Sequence, residues 1–277
     1  MDKWIKPLGL LAFIILVCSV LVRVLTNGET LSEYADTNPD IAYATPAPTP
    51  SASPMPEATA QPFGTPESSE SIHYEEGFFY QPLTDDIIAR ITGISYPASE
   101  NEISPLAISY EDLRYLNVLY YDFNGEVQSG ELICNQEIAH DLVEIFYELY
   151  RNEYQIEKIR LIDEYGGDDT ASMLDNNTSC FNYRGVDGTD SLSKHAIGCA
   201  IDINPFYNPY VVFNKDGSGK TYISPEGSEI YADRSQNFPY KIDENDLCYK
   251  LFKEHGFTWG GDWNSCKDYQ HFQKVIQ

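Results

Sequence analysis

The chain has 277 residues, with 43 acidic and 18 basic side chains and a formal net charge of −25. This acidic balance excludes a nucleic-acid binder that works through a basic surface. The length allows one or two domains, but the first 70 or so residues lack a foldable composition, so we expect one globular domain of about 200 residues.

An uncharged apolar run extends from Leu8 to Val22, with two lysines before it and Arg23 after it. If Arg23 snorkels, about 18 residues are available to cross a bilayer. The preceding lysines place the N-terminus in the cytoplasm and the rest of the chain outside. We therefore predict a transmembrane anchor within residues 1–27. A cleaved signal peptide is the alternative, and in both cases the domain is exported.

Residues 28–72 form the next segment, which is rich in Pro, Ser and Thr and includes the run Thr45-Pro46-Ala47-Pro48-Thr49-Pro50. Such a composition cannot bury a core, and its prolines keep it extended. We predict a disordered linker here, followed by a globular domain over residues 73–277.

Two helices are predicted from apolar spacing in that domain. Asn135 to Asn152 has apolar side chains at helical intervals, with Asn135 as N-cap. Asp243 to His255 has Asp243 as a candidate N-cap and Gly256 as its stop.

Three strands are predicted in the same domain, over residues 156–163, 200–203 and 271–276. Because helices and strands are mixed without regular alternation, the predicted fold class is α+β.

The first candidate site segment is Ser193-Lys194-His195-Ala196-Ile197-Gly198-Cys199-Ala200-Ile201-Asp202. In a strand, Asp202 would sit among apolar neighbours, which is costly for a carboxylate unless it is paired or bound to a metal. Gly198 permits a bend that could return His195 towards Asp202. One loop and strand would then supply two metal ligands.

The second candidate segment, Asp268-Tyr269-Gln270-His271, follows Trp259-Gly260-Gly261-Asp262-Trp263. His271 would complete three protein ligands and leave a fourth position for water, as in catalytic zinc sites. Asp268 would then serve as general base. Taken singly, each of these residues is more often an ordinary core or surface residue, so the prediction depends on the joint pattern.

These motifs resemble the VanY-like D-Ala-D-Ala carboxypeptidases, which are grouped with L-Ala-D-Glu endopeptidases and hedgehog-type domains among the LAS zinc proteins. The similarity extends from about Ile159 to the C-terminus. It consists of Ser-x-His-x-x-Gly-x-Ala-x-Asp at 193–202, Trp-Gly-Gly-Asp-Trp at 259–263, Asp-x-x-His-Phe at 268–272, and the stretches 176–179 and 181–184. It implies a small antiparallel sheet flanked by helices.

The resemblance also implies roles for individual residues. His195, Asp202 and His271 would bind Zn²⁺, and Asp268 would be the catalytic acid and base. The further implied site residues are Arg184 for a substrate carboxylate or oxyanion, Ser193 in support by hydrogen bonding, and Gln273 where many members have Glu. A surface ion pair with Asp187 or Asp190 is the alternative for Arg184, and a local turn cap is the alternative for Ser193.

Several other residues are candidates for structural roles. Trp259 could line a substrate groove or pack beneath the metal loop. Cys180 and Cys199 could form a disulfide in an exported domain. His73, His140 and His255 are predicted to be structural.

The predicted function is zinc-dependent hydrolysis of peptidoglycan stem peptides, by resemblance a D-Ala-D-Ala carboxypeptidase at the cell membrane with its catalytic domain outside. A peptidoglycan endopeptidase that cleaves a cross-bridge or an L-Ala-D-Glu bond is the second choice. A catalytically silent zinc-containing module that binds the cell wall is the third, and Asp268 argues against it.

Overall fold

The computed structural model describes residues 71–98, 108–186, 191–215 and 217–276. The predicted membrane anchor and Pro-rich linker lie outside these ranges, so the domain boundaries remain predictions. Within the described ranges, no helix is both long enough and apolar enough to cross a bilayer.

Helices and strands are mixed throughout the described ranges, which confirms the α+β class. The α-helices are α1 (Asp85–Ile91), α2 (Gln136–Arg151), α3 (Asp169–Leu174) and α4 (Leu247–Glu254). The strands are β1 (Ile72–Glu75), β2 (Phe78–Pro82), β3 (Leu113–Tyr121), β4 (Val127–Asn135), β5 (Lys158–Ile159), β6 (Asn177–Thr178), β7 (Ala200–Asp202), β8 (Tyr210–Phe213), β9 (Thr221–Ser224), β10 (Thr258–Trp259), β11 (Lys267–Asp268) and β12 (His271–Gln273).

The strands assemble into small sheets. The largest is antiparallel with the order β1-β2-β3-β4, and two three-stranded antiparallel sheets have the orders β10-β12-β7 and β11-β8-β9. Strands β5 and β6 form a parallel pair. The small antiparallel sheets that the resemblance implied are therefore present.

Helix α2 forms the centre of the core, as its apolar spacing predicts. The Asn135 side chain caps it by accepting a hydrogen bond from the Glu137 N–H at 3.0 Å. Its apolar stripe packs against β2 and β3. The stripe consists of Ile138, Leu142, Ile145 and Leu149, which are at most 1% exposed. Each fully buried Leu or Ile contributes about 1.5–3 kcal/mol to the stability of the fold.

Helix α4 begins later than predicted. Its N-cap is Asp246, whose carboxylate accepts a hydrogen bond from the Cys248 N–H at 2.8 Å. Asp243 instead closes the preceding turn by accepting the Asn245 N–H at 2.9 Å. Two acidic capping residues three positions apart compete for the role, and the second is the one that the helix uses. Gly256, with φ of 81°, follows the helix end as expected.

The strand predicted over residues 156–163 is also shorter than expected. Within this range only the two residues of β5 form a strand, which pairs with β6. A 3₁₀ helix, Ile162–Tyr165, follows. The Arg160 N–H donates to the Asn177 side-chain oxygen at 2.9 Å and is thereby removed from the strand ladder. The strands predicted over residues 200–203 and 271–276 are likewise short, and they correspond to β7 and β12.

Strands β7 and β12 bring two distant polar residues face to face. Their antiparallel register pairs Asp202 directly with His271 and Ala200 with Gln273. Directly opposed residues of an antiparallel pair have Cβ atoms about 4.5–5.5 Å apart, so the register alone places these two side chains within reach of each other.

The segment Asn176-Asn177-Thr178-Ser179 supports the end of β7 from the other side. Ser179 and Asp202 exchange two backbone hydrogen bonds, at 2.9 and 3.2 Å. The Thr178 hydroxyl accepts the Asn204 N–H at 3.2 Å, and Asn204 has a left-handed φ of 44°. This segment therefore fixes the strand on which Asp202 lies.

Gly198 forms the turn that precedes β7. It has φ of 66° and ends a short 3₁₀ helix, His195–Ile197. Its carbonyl accepts the Asn135 N–H at 2.9 Å, which ties the turn to the start of α2. A Cβ at this position would lie 2.5 Å from the Asn135 backbone nitrogen, so both the backbone conformation and the available space require glycine.

Gly198→Ala is expected to lower the free energy of unfolding by about 2–4 kcal/mol, from left-handed strain plus backbone overlap. Gly125→Ala is the matched control, because Gly125 has φ of 76° and open space around its Cα. We expect it to cost only about 1 kcal/mol. Urea unfolding of both variants measures the difference, and equal losses would contradict the packing role of Gly198.

Candidate metal centre

Three side chains converge beside β7 and β12. His195 Nε2 lies 3.4 Å from Asp202 Oδ2 and 3.2 Å from His271 Nδ1, while His271 Nδ1 lies 2.9 Å from Asp202 Oδ1. One ligand atom from each residue falls within 4.8 Å of the others. The Gly198 turn supplies His195 and the strand register supplies the other pair. The structure thus brings together the three residues that the motifs single out.

Each imidazole is oriented by a hydrogen bond on its outer side. His195 Nδ1 donates to the Cys180 carbonyl at 2.5 Å, so its Nε2 presents a lone pair to the cluster. His271 Nε2 donates to Gln273 Oε1 at 3.1 Å, so its Nδ1 faces the cluster. Gln273 thus holds the ring through a neutral amide, at the position where the resemblance implies Glu in many relatives.

The cluster is almost inaccessible to solvent: His195, Asp202 and His271 are 4–6% exposed. Burial alone would raise the pKa of Asp202, but the two imidazoles outweigh it and lower this pKa. Burial lowers the pKa of His271, yet hydrogen bonding to Asp202 and the charge of Asp202 raise it to about 9. Two imidazole nitrogens and one carboxylate form a donor set that fits zinc. A bound zinc ion would displace the proton that lies between His271 and Asp202.

Asp268 lies beside this cluster, and its carboxylate is influenced by the charges of Asp202 and His271. Its Oδ1 is buried and makes no hydrogen bond to any described residue. Burial raises the pKa of Asp268 to about 7; the charge of Asp202 adds to the rise and that of His271 opposes it. A buried carboxylate without a partner is costly to fold, and such groups concentrate at functional sites.

The two glycines of Trp-Gly-Gly-Asp-Trp make room for this arrangement. A Cβ on Gly260 would lie 2.5 Å from the Asp268 carbonyl oxygen and 2.7 Å from its Cβ. On Gly261 it would lie 2.3 Å from the Trp259 ring. Trp259 is 3% exposed and donates to the Tyr269 carbonyl at 2.9 Å, so it packs in the core. The ring centroid of Trp263 instead lies 5.3 Å from that of His271.

In chelator-treated protein, the raised pKa of Asp268 should affect stability. A carboxyl whose pKa is higher in the folded state contributes stability at low pH and loses it as the pH rises through the folded pKa. Wild type should therefore lose about 2–3 kcal/mol between pH 5 and 8.5 that Asp268→Asn retains. Denaturant unfolding of both proteins across this range measures the difference; parallel profiles would contradict it.

Two other predicted site residues have clear contacts. Ser193 Oγ accepts the His195 N–H at 3.2 Å, so it forms a local turn cap directly under a cluster residue. Arg184 Nη2 lies 2.8 Å from Asp169 Oδ2. The partners that the sequence suggested for Arg184, Asp187 and Asp190, lie outside the described residues.

Asp169 is a site neighbour that the sequence analysis missed. It opens α3 directly after Asp168, whose side chain caps that helix by accepting the Ala171 N–H. Two adjacent acids at a helix start are ordinary capping and first-turn residues, so nothing local distinguishes Asp169. What distinguishes Asp169 is its salt bridge with Arg184, a residue that the sequence analysis did predict for the site.

Within the described ranges, no cysteine thiol and no further histidine ring belongs to the group of converging ligand atoms. Cys180 and Cys199 are both free thiols, so the disulfide considered from the sequence is not formed. Burial raises the pKa of the Cys180 thiol well above its usual range, as for a thiol packed in the core. His140 is largely exposed, and His255 pairs with Asp141 at 3.2 Å.

An α+β fold that gathers two imidazoles and a carboxylate beside a second carboxylate, one oxygen of which has no hydrogen bond to any described residue, has the donor groups that a metal-dependent hydrolase uses. Residues 187–274 match the family model described as D-alanyl-D-alanine carboxypeptidase. This match confirms the resemblance to VanY-like carboxypeptidases that the motifs indicate. Comparison with curated proteins and with solved structures gave no match.

The family match covers most of the candidate site. His195, Asp202, Asp268 and His271 all fall inside it. Arg184 precedes the matched segment, although the resemblance read from the motifs begins near Ile159. The upstream part of the site therefore depends on the contacts in this structure.

Proposed function

We propose that this protein hydrolyses peptide bonds in peptidoglycan stem peptides as a zinc-dependent D-Ala-D-Ala carboxypeptidase. The observation that supports this most directly is the convergence of His195, Asp202 and His271 beside Asp268, inside a segment that matches this peptidase family. Three such ligands leave one coordination position free, as catalytic zinc sites require.

The proposed ligands are His195 Nε2, a carboxylate oxygen of Asp202 and His271 Nδ1. A zinc ion held there would supply a Lewis acid for the scissile carbonyl and would lower the pKa of a water molecule. Gln273 and the Cys180 carbonyl keep the two rings in the tautomers that leave these nitrogens unprotonated.

Asp268 is the proposed general base and then general acid. Its carboxylate accepts a proton from the attacking water and returns it to the leaving amine as the peptide bond breaks. The raised pKa of about 7 suits both halves of this cycle near neutral pH. Oδ1 has no hydrogen-bond partner among the described residues, so its acceptor capacity is not used by the fold.

Arg184 is the proposed anion-binding residue. A guanidinium forms strong, directional hydrogen bonds to carboxylates and to oxyanions. Its side chain is 33% exposed, so a peptide ligand could reach it. Recognition of a free terminal carboxylate would separate a carboxypeptidase from an endopeptidase, and the bond that is cleaved distinguishes the two.

The proposed location is the outer face of the cell membrane. It depends on the predicted anchor in residues 1–27 and the linker over 28–72, which lie outside the described residues. Such a tether would let the domain reach a peptide layer beyond the membrane.

Digestion of purified muropeptides, with products identified by mass spectrometry, tests the activity and the bond together. We expect release of one D-Ala per pentapeptide stem, loss of this activity with a chelator, and its recovery with added Zn²⁺. Cleavage elsewhere in the stem would favour the endopeptidase. Binding of muropeptides without any cleavage would favour the silent module.

A further inference from the structure

The salt bridge between Asp169 and Arg184 joins α3 to the segment that leads into the metal loop. Arg184 Nη2 and Asp169 Oδ2 are 2.8 Å apart, and the two side chains are 33% and 27% exposed. The Arg184 carbonyl accepts the Ser193 N–H at 3.1 Å, two residues before His195. The pair is therefore close in the chain to the proposed ligands and still open to solvent on one side.

The electrostatic environment of Asp169 places it beside the same centre. Burial raises the pKa of Asp169; the charge of Arg184 opposes this rise, and the charge of Asp202 adds to it. The charge of Asp169 in turn contributes to the raised pKa of Asp268. The Asn182 N–H donates to the His195 carbonyl at 3.2 Å, and the Ser193 N–H donates to the Arg184 carbonyl, so the Arg184 segment lies directly against the metal loop.

Only part of the Arg184 guanidinium is occupied by this salt bridge. Its Nε is buried and makes no hydrogen bond to any described residue, even though Nη2 is engaged by Asp169. A buried donor without an acceptor is destabilising, so most buried donors in proteins are paired. Guanidinium groups match carboxylates through adjacent N–H groups, so the free Nε–H is a ready donor for a ligand oxygen.

We infer that Asp169 is a positioning residue that holds Arg184 so that its Nε–H meets an oxygen of the substrate's terminal carboxylate. This inference rests on the proposed function. A free arginine side chain loses rotamer entropy when it binds a ligand. Asp169 removes much of that cost in advance, so its contribution should appear in substrate binding and depend on the carboxylate.

The test uses full-length protein and two acetylated peptides, L-Lys-D-Ala-D-Ala with a free carboxylate and the same peptide with a terminal amide. Asp169→Asn should raise KM for the free acid about 10-fold and change kcat less than about threefold. The inhibition constant of the amide, measured against hydrolysis of the free acid, should stay the same. Asp169→Glu, which keeps the charge, should recover part of the lost binding.

Two further variants isolate the Arg184 connection. Asp169→Asn added to Arg184→Gln should cause no further loss, because the residue that it positions is already gone. Asp168→Asn is the matched control: it removes the adjacent carboxylate and keeps a good N-cap, so its kinetics should equal wild type. Zinc content should be the same in all variants.

The inference is overturned if Asp169→Asn weakens both peptides equally, lowers only kcat, loses zinc, or adds its full effect to that of Arg184→Gln. If wild type cleaves neither peptide, the proposed function fails. The inference about Asp169 is then tested separately by the ¹⁵N–¹H NMR signal of Arg184 Nε. Titration with the free-acid peptide should shift this signal in wild type at about tenfold lower peptide concentration than in Asp169→Asn. The same response in both proteins would overturn the inference.

Discussion

Asp268→Asn should abolish hydrolysis and leave the metal content unchanged. The amide has nearly the shape of the carboxylate but cannot take a proton from water, so kcat/KM should fall about 10²–10⁴-fold. Asp268 lies outside the group of three converging ligand atoms, so zinc should remain near one ion per chain. Release of D-Ala measures the activity, and elemental analysis measures the zinc.

Asp262→Asn is the matched control for this substitution. Asp262 belongs to the same Trp-Gly-Gly-Asp-Trp segment, but it is exposed and pairs with Lys253 at 3.3 Å. Its replacement should change turnover less than about twofold, because an exposed ion pair contributes little. If Asp268→Asn kept more than about a tenth of wild-type turnover, Asp268 could not be the general base.

His271→Ala should remove both the metal and the activity. The substitution deletes one of three proposed ligands and leaves too few donors for a stable zinc site. It also deprives the buried Asp202 carboxylate of a partner 2.9 Å away, which should destabilise the metal-free fold by about 3–5 kcal/mol. Dialysis against Zn²⁺ followed by elemental analysis measures the first effect, and thermal unfolding with chelator measures the second.

The control for this experiment is a histidine from another part of the fold. His140 is largely exposed on α2, so His140→Ala should keep full zinc content and activity. Circular dichroism at the assay temperature establishes that His271→Ala is folded when its zinc is measured. A folded His271→Ala protein that binds zinc as tightly as wild type would refute the proposed ligand set.

Local sequence patterns predicted the elements that depend on local chemistry. The spacing of apolar residues and the Asn135 cap were enough to define α2, because both signals act within a few residues. The motif around Gly198 likewise predicted a bend, since few other residues adopt a left-handed φ. The brevity of β5 was not predictable, because it depends on the Asn177 side chain, which lies 17 residues from Arg160.

The candidate site was predictable where its residues belong to motifs, and hidden where they do not. His195 and Asp202 share one continuous segment, and His271 follows Asp268 by three positions. Asp169 has no such context, and only the folding of α3 against the Arg184 segment reveals it. The lack of a hydrogen bond to Asp268 Oδ1 is also a property of the tertiary structure, because it depends on which groups the fold places near that oxygen.

The direct pairing of Asp202 with His271 has an evolutionary consequence. The two residues are 69 positions apart, yet their separation is set by adjacent backbones in one small sheet. Surface loops between β7 and β12 could therefore lengthen or shorten among descendants without changing this pairing, whereas β10, which pairs with β12, could not be lost as freely. A shift of one residue in the pairing would instead place isoleucine opposite His271, so selection should tolerate loop insertions here far better than deletions within either strand.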